Sequence, residues 1–202
     1  MAPNLFLRAE MKSVNRDWLD AGLSFLFPAV CQLCADARAT PDEGYVCQAC
    51  WQNLRFVTPP CCERCGLPYP GDITTAFECA NCRDLDLHFR WARASVVAND
   101  FLRGVIHRYK YNRELWFEPF LTDLLLRQAV PVLRSENCTG IVPVPLHPVK
   151  QREREFNQAE RLALPLARAL GIPVLTHLVK RVQPTRTQTQ LDKHARADNV
   201  RR

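Results

Sequence analysis

The sequence predicts a small double zinc ribbon followed by an α/β domain. Two observations carry that expectation. Four CxxC knuckles stand in two matched pairs between residues 31 and 82. From His88 onward there are no more knuckles, and the chain reads as short apolar run, basic segment, helix and second short apolar run, which is an α/β order.

The knuckles are Cys31-Gln32-Leu33-Cys34, Cys47-Gln48-Ala49-Cys50, Cys62-Glu63-Arg64-Cys65 and Cys79-Ala80-Asn81-Cys82. Twelve residues separate Cys34 from Cys47, and thirteen separate Cys65 from Cys79. A CxxC turn aims two thiolates at one point, and a second one folded back on it completes a tetrahedral sulfur site of the structural zinc type. The expected cofactor is therefore two structural Zn²⁺, held by Cys31, Cys34, Cys47 and Cys50 and by Cys62, Cys65, Cys79 and Cys82. Two alternatives remain open. Disulfides would need an exported chain, which nothing in the sequence suggests, and Cys₄ sites also hold iron–sulfur clusters. Residues 31–50 and 62–82 read as two copies of one unit. Cys61 and Cys138 are left over as free thiols.

Composition bounds the rest. The chain has 202 residues, of which 47% are hydrophobic, as in a soluble globular protein. No run of eighteen apolar residues exists, so no membrane span is expected. Met1 to Arg16 carries Glu10 and makes a poor signal peptide, so a cytoplasmic protein is expected. The formal net charge is +6. From Val144 to Arg202 there are twelve Lys or Arg against five Asp or Glu, whereas residues 1–143 hold fifteen against sixteen. Eight thiolates with two Zn²⁺ would bring the whole chain to roughly +2. That argues against a general attraction to nucleic acid and leaves a local basic surface.

In chain order, residues 1–16 read as a disordered tail. Trp18, Leu19, Leu23, Leu26 and Phe27 recur at helical spacing, which predicts an amphipathic helix within 17–30. Its reading is packing against the first ribbon, with a membrane surface as the lesser alternative. Residues 31–87 form the double ribbon, with turn clusters such as Thr58-Pro59-Pro60 between knuckles and too few apolar residues for a core without metal. Residues 88–202 form the second domain. Residues 92–98 predict a strand, and 100–111 a helix capped by Asn99 or Asp100 with Phe101, Val105 and Tyr109 on one face. A second helix is expected from Pro119 to Leu133, with Phe120, Leu124 and Leu125 inward and Pro131 limiting its end. Residues 140–147 predict a buried strand that empties into a loop, 148–157, bearing Lys150, Arg152 and Arg154. Asn157 to Leu170 predicts a helix with Leu162, Leu166, Ala169 and Leu170 as its stripe and Gly171 as its stop. Pro165 inside it removes a donor, at about 3 kcal/mol unless relieved.

A strand that ends in a basic loop, followed by a helix N-terminus at Asn157, is where an open α/β sheet holds a phosphate-rich ligand. The same residues also fit the solvated, charge-alternating start of a helix.

The ordered set of motifs is specific. It comprises Leu26-Phe27-Pro28 before the knuckles, Lys110-Tyr111, and Val142-Pro143-Val144-Pro145-Leu146-His147. Then come Arg152-x-Arg154-x-Phe156-Asn157-Gln158-Ala159-Glu160, Arg181-x-x-x-Thr185-x-x-Gln188-x-x-Leu191 and Arg196-x-x-Asn199-Val200. This resembles the ComF family of phosphoribosyltransferase-like proteins linked to competence and DNA uptake, including GntX-type DNA-utilisation proteins. The resemblance implies a type I phosphoribosyltransferase-like α/β domain after the ribbons. It also implies Mg²⁺ and phosphoribosyl pyrophosphate as ligands, and pyrophosphate contacts from the Pro145-Leu146-His147 loop and the basic residues beyond it. The candidate phosphate-binding residues are His147, Lys150, Arg152, Arg154, Asn157 and Gln188, the last in the family's flexible-loop region.

Two departures from the family pattern stand out. Glu155 occupies a position where the family usually carries Gly, so its charge would weaken a pyrophosphate site or pair with Arg154. The family also continues past Asn-Val into a strand, an acidic pair and a Thr-Thr-Gly turn that this sequence lacks. The expectation is therefore a domain incomplete at its C-terminus, without autonomous catalysis. The alternatives are a zinc-ribbon module that contacts DNA or protein without enzymatic activity, and a truncated product without function. Expected partners are DNA-uptake or helicase-like proteins and single-stranded DNA. Trp51, Tyr69 and Trp91 are candidate stacking residues, or ordinary packing residues.

Overall fold

The computed structural model describes residues 29–184 and Ala195. The expected tail, the helix within 17–30 and most of 185–202, including Gln188, lie outside the described residues. The chain divides into two compact units, Met1–Asn53 and Leu54–Arg202. Each unit holds one pair of knuckles.

In the first unit, Val30 and Arg38 form an antiparallel bridge around the first knuckle. The Ala39 N–H reaches the Ala29 carbonyl at 2.9 Å. Glu43 accepts from both the backbone N–H and the hydroxyl of Thr40, at 2.7 and 2.8 Å, and closes the turn at 40–45. A short helix, α1 (Gln48–Trp51), carries Cys50 inward. Among the described residues of this unit, the buried apolar side chains apart from the cysteines are Ala39 and Val46. Two such side chains bury little apolar area, so a metal held by the four cysteines would add folding energy here.

The second unit repeats that plan and adds a helical body. Cys61 bridges Pro68, and α2 (Ala80–Arg83) carries Cys82 inward. Then follow α3 (Asp100–Tyr111), a 3₁₀ turn (Leu115–Phe117), α4 (Glu118–Arg134), α5 (Pro148–Arg154) and α6 (Gln158–Leu170). Asn99 is the N-cap of α3 and accepts from Leu102 N–H at 2.9 Å, while Asp100 pairs with Arg103. Leu102, Val105 and Tyr109 are the buried face of α3, with Phe101 at its margin. On α4 the buried residues are Phe120, Leu121 and Leu124. Pro131 does not end this helix, which continues to Arg134. On α6 they are Ala163, Leu166 and Ala167, and α4 packs against α6. Of the expected stripe Leu166 is buried, Leu162 and Leu170 are half-buried and Ala169 is exposed, while Ala163 and Ala167 are buried instead. Gly171, at φ 71°, ends α6 as expected.

Tyr109 joins the three long helices. Its hydroxyl donates to Glu118 Oε2 at 3.0 Å, and Arg161 of α6 donates to the same oxygen. Burial, followed by the Glu118 charge, pushes the Tyr109 phenol well above its usual range.

The expected strands are corrected to single bridges. Within 92–98, only Val96 pairs, antiparallel to Phe56, flanked by Val57 N–H to Ser95 carbonyl at 3.1 Å and Val97 N–H to Arg55 carbonyl at 2.8 Å. Within 140–147, only Ile141 pairs, parallel to Val174. Ile141 N–H donates to Pro173 carbonyl at 2.9 Å and Leu175 N–H to Ile141 carbonyl at 2.8 Å. Pro143, Pro145 and Pro173 lack the N–H groups that would extend this ladder. Val142 and Val144 are exposed, so this segment is not buried as expected. Among the described residues there is accordingly no strand, and the α/β character consists of one parallel pairing joined by α5 and α6. Gly140 lets the pairing close, since a Cβ there would meet Leu175 Cδ1 at 2.7 Å.

Candidate metal centres and phosphate site

Each set of four cysteines converges on one point. The sulfurs of Cys31, Cys34, Cys47 and Cys50 all lie within 4.8 Å of one another, as do those of Cys62, Cys65, Cys79 and Cys82. Close pairs are Cys31–Cys50 at 3.7 Å, Cys34–Cys47 at 3.7 Å, Cys62–Cys82 at 3.9 Å and Cys65–Cys79 at 3.7 Å. A tetrahedral site with Zn–S bonds of about 2.3 Å has S···S edges of about 3.8 Å. The separations fit that edge, and none of the cysteines is in a disulfide. Both sets therefore fit a structural zinc ion, and four sulfurs fill each tetrahedron, leaving no open position for a catalytic water.

The backbone explains the convergence. Cys47 N–H points at Cys31 Sγ (3.4 Å) and Cys79 N–H at Cys62 Sγ (3.3 Å). The residue after each leading knuckle turns left-handed, Ala35 at φ 57° and Gly66 at φ 71°. Only Gly serves at 66, because a Cβ would lie 2.7 Å from the Ala92 carbonyl oxygen. Backbone N–H groups of Ala37 and Asp36 draw the Cys34 thiol down to about 6. Burial opposes ionisation of Cys62, but N–H groups of Cys65, Cys79 and Arg64 bring it to about 6. Burial and the neighbouring thiols push Cys82 up to about 12, and Cys50 higher. Four thiols without metal thus share few negative charges; a divalent cation would let all four ionise.

The expected basic loop at 148–157 is corrected to a helix, α5, with a tight connection to α6. Pro148 suits the first helical position, and His147 is the N-cap, its Nδ1 accepting from Val149 N–H at 3.3 Å. That leaves Nε2 as the donor. At about 100° per residue, His147, Lys150 and Arg154 share one face and Arg152 lies across from it. Lys150 pairs with Glu153 at 2.7 Å. Arg152 is exposed. Arg154 donates to Gln158 Oε1 at 3.0 Å, and its guanidinium lies 4.8 Å from the Tyr111 ring centroid. Asn157 is buried; its Oδ1 caps α6 at Ala159 N–H (3.0 Å) and its Nδ2 donates to Val144 carbonyl (3.1 Å). Glu155 ends α5 in the left-handed region, at φ 68°, a conformation natural to Gly. Its carboxylate pairs with Arg113 at 2.8 Å, not with Arg154.

The structure adds the end of α3 to this region. Arg113 also donates to the Glu153 carbonyl at 3.0 Å, and Tyr109 packs on Phe156 with centroids 5.2 Å apart. Lys110 and Tyr111 carried the sequence resemblance without a role. Helical spacing within α3 could not show that Tyr111 meets Arg154 of α5, some forty residues later.

The Double zinc ribbon domain model matches residues 22–84. The chain is 31% identical over 173 residues to Competence protein F of Haemophilus influenzae, covering 78% of this chain and 75% of that protein. It is 31% identical over 182 residues to DNA utilization protein YhgH of Escherichia coli K12, covering 86% and 76%. This chain belongs to the ComF family. A third ComF relative, Competence protein ComFC of Bacillus subtilis, is 28% identical over 145 residues, covering 67% of this chain and 56% of that protein. No solved structure matches. Among the described residues, no helix of this ComF-family chain is long and apolar enough to cross a membrane.

Proposed function

We propose that the chain acts in the handling of DNA during uptake. In this reading the two zinc ribbons are a scaffold, and the α5–α6 junction recognises phosphate groups on a type I phosphoribosyltransferase-like domain. The observation that carries it is the parallel pairing of Ile141 with Val174 across α5 and α6. Parallel segments joined by a helical crossover make the basic α/β unit, and ligands of such folds bind beyond the strand ends. Here that position holds His147, Lys150 and Arg154 on one face, and the start of α6. The names of the relatives, competence and DNA utilization, support the uptake role.

Phosphoribosyl pyrophosphate with Mg²⁺ is the small ligand that the family resemblance implies. Its pyrophosphate charge would be neutralised by the α5 cations. Calorimetric titration of the zinc-loaded chain with phosphoribosyl pyrophosphate and Mg²⁺ tests this arm. A mobility-shift series with single-stranded oligonucleotide at graded salt tests the other, since phosphate contacts weaken steeply with salt. Absence of binding in both, at low salt, would overturn the proposal. Strand binding that survives disruption of α5 would favour the second reading, a ribbon module that contacts DNA itself.

A further inference from the structure

A cavity of about 320 Å³ lies within the second unit, between the segments beside its ribbon and its helices. Leu125, Ala129 and Leu133 of α4 line it, together with Leu166 of α6, Val57 and Trp91. On α4, Phe120, Leu121 and Leu124 are buried. Leu125, Ala129 and Leu133 recur at helical spacing and are only half-buried, so they form a second apolar stripe on the same helix. Packed interiors hold few voids larger than a water molecule, whereas ligand cavities begin at about 300 Å³. A dry cavity of about 150 Å³ takes one benzene ring, so this one has room for roughly two. It is separate from the α5–α6 junction, because Leu166 lies about 12 Å along α6 from Gln158.

We propose that this cavity binds a small apolar monocarboxylate, an acid with a hydrocarbon body of about two rings. The body would lie against the second stripe of α4, and the carboxylate would sit on Arg93. Among the described residues that line the cavity, Arg93 is the only Lys, Arg, Asp or Glu. Its guanidinium is already held. Nη1 donates to the Glu63 and Ala92 carbonyls, both at 2.8 Å, and the group lies over the Trp91 ring at 5.2 Å from the centroid. Nη1 carries two hydrogens, and those two contacts use both. The Nε–H and Nη2–H edge has no partner among the described residues, and that edge matches a carboxylate through two parallel hydrogen bonds. Ser95 and Gln128 add neutral donors to the lining. A phosphate ester would bring further charge with no second cation to meet it. Bound there, the acid ties Trp91 and Arg93 to α4 and α6. The inference does not depend on phosphate recognition at the α5–α6 junction, and its failure would leave that reading untouched.

The test titrates the full zinc-loaded chain with naphthoate and with its neutral analogue naphthalenemethanol, by calorimetry. Naphthoate should bind about fivefold more tightly than the alcohol, the most that an exposed ion pair supplies. Arg93→Met should erase that difference and leave the affinity for the alcohol within about twofold. Ala129→Phe, which fills the cavity, should weaken both probes by about tenfold, with zinc content and a thermal melt to show that each variant is folded. The unmodified chain supplies an independent readout. Cys61 lines the cavity and Cys138 does not, so naphthoate should slow alkylation of Cys61 relative to Cys138, read by mass spectrometry. Absence of naphthoate binding, or binding that leaves Cys61 alkylation unchanged, overturns the inference. Equal affinity for acid and alcohol overturns the role of Arg93. Slowing of Cys61 alkylation by protein concentration alone would show a second copy covering the cavity, and overturns it as well.

Discussion

Glu155 reaches past its neighbour Arg154 and pairs with Arg113 at 2.8 Å. The left-handed turn at Glu155 produces this, because it swings the carboxylate away from α5 at the point where the helix ends. The charge that would have cancelled Arg154 is thereby tied to a different cation. Replacement by glycine should remove an unfavourable left-handed conformation, worth roughly 1 kcal/mol, and an exposed ion pair worth less. Glu155→Gly is therefore expected to leave the melting temperature unchanged or slightly higher and to strengthen pyrophosphate binding. Calorimetry and a thermal melt check both.

Zinc content is the most direct measurement on the ribbons. Elemental analysis should give two zincs per chain. Cys34→Ser and Cys65→Ser should each leave one, because the two sets lie in separate compact units. Chelation should release both and abolish amide protection in residues 29–53, where Cys31, Cys47 and Cys50 make up most of the buried side chains among the described residues. Protection of α4 and α6 should survive longer, since their packing rests on Phe120, Leu124 and Leu166.

Two glycines should respond in opposite directions to the same substitution. Gly66→Ala puts a Cβ 2.7 Å from the Ala92 carbonyl oxygen at a positive φ. It should destabilise the second unit by about 2–3 kcal/mol. A Cβ at Gly104, inside α3, meets nothing within 4 Å, so Gly104→Ala should stabilise by about 0.5–1 kcal/mol. Denaturant titration of both variants measures the contrast.

Tyr109 predicts an alkaline limit to stability. Its phenol is held neutral by burial and by Glu118, with a folded pKa above the ordinary value. An unfolded tyrosine ionises near pH 10. Below that pH the contribution of Tyr109 is fully present. As pH rises from about 10 toward the folded pKa, the unfolded state loses its proton first and stability falls. Unfolding titrations between pH 9 and 11 should show that decline, and Tyr109→Phe should flatten it. At neutral pH the same variant loses one hydrogen bond, at about 1 kcal/mol.

The metal centres were legible because CxxC spacing acts locally: each knuckle brings its two sulfurs together by its own turn, and the repeat doubles the signal. Helices α3, α4 and α6 were legible from periodicity and caps, down to Asn99, Asn157 and Gly171, whereas the single-turn α1 and α2 inside the knuckles were not. The segment 148–154 was not, since a charged run of seven residues has no apolar stripe to separate helix from loop. Its helix depends on Pro148, on the His147 cap and on the Lys150–Glu153 pair. The strands misread for a related reason. Residues 92–98 and 140–147 have the composition of strands, but a ladder needs a paired run alongside it: Val96 and Ile141 each find a single bridge, and in 140–147 Pro143 and Pro145 remove the N–H groups that would extend it.

Sequence alone determined what this protein binds through local geometry: two sets of four thiolates, each shaped by turns of a few residues, and the family whose motifs follow them. Tertiary structure decided which distant residues meet. Tyr111 lies some forty residues before Arg154, and only the packing of α3 against the α5–α6 junction brings them together. Such a contact depends on how buried faces such as those of Tyr109 and Phe156 fit, a property of two surfaces at once that no periodicity within either segment encodes.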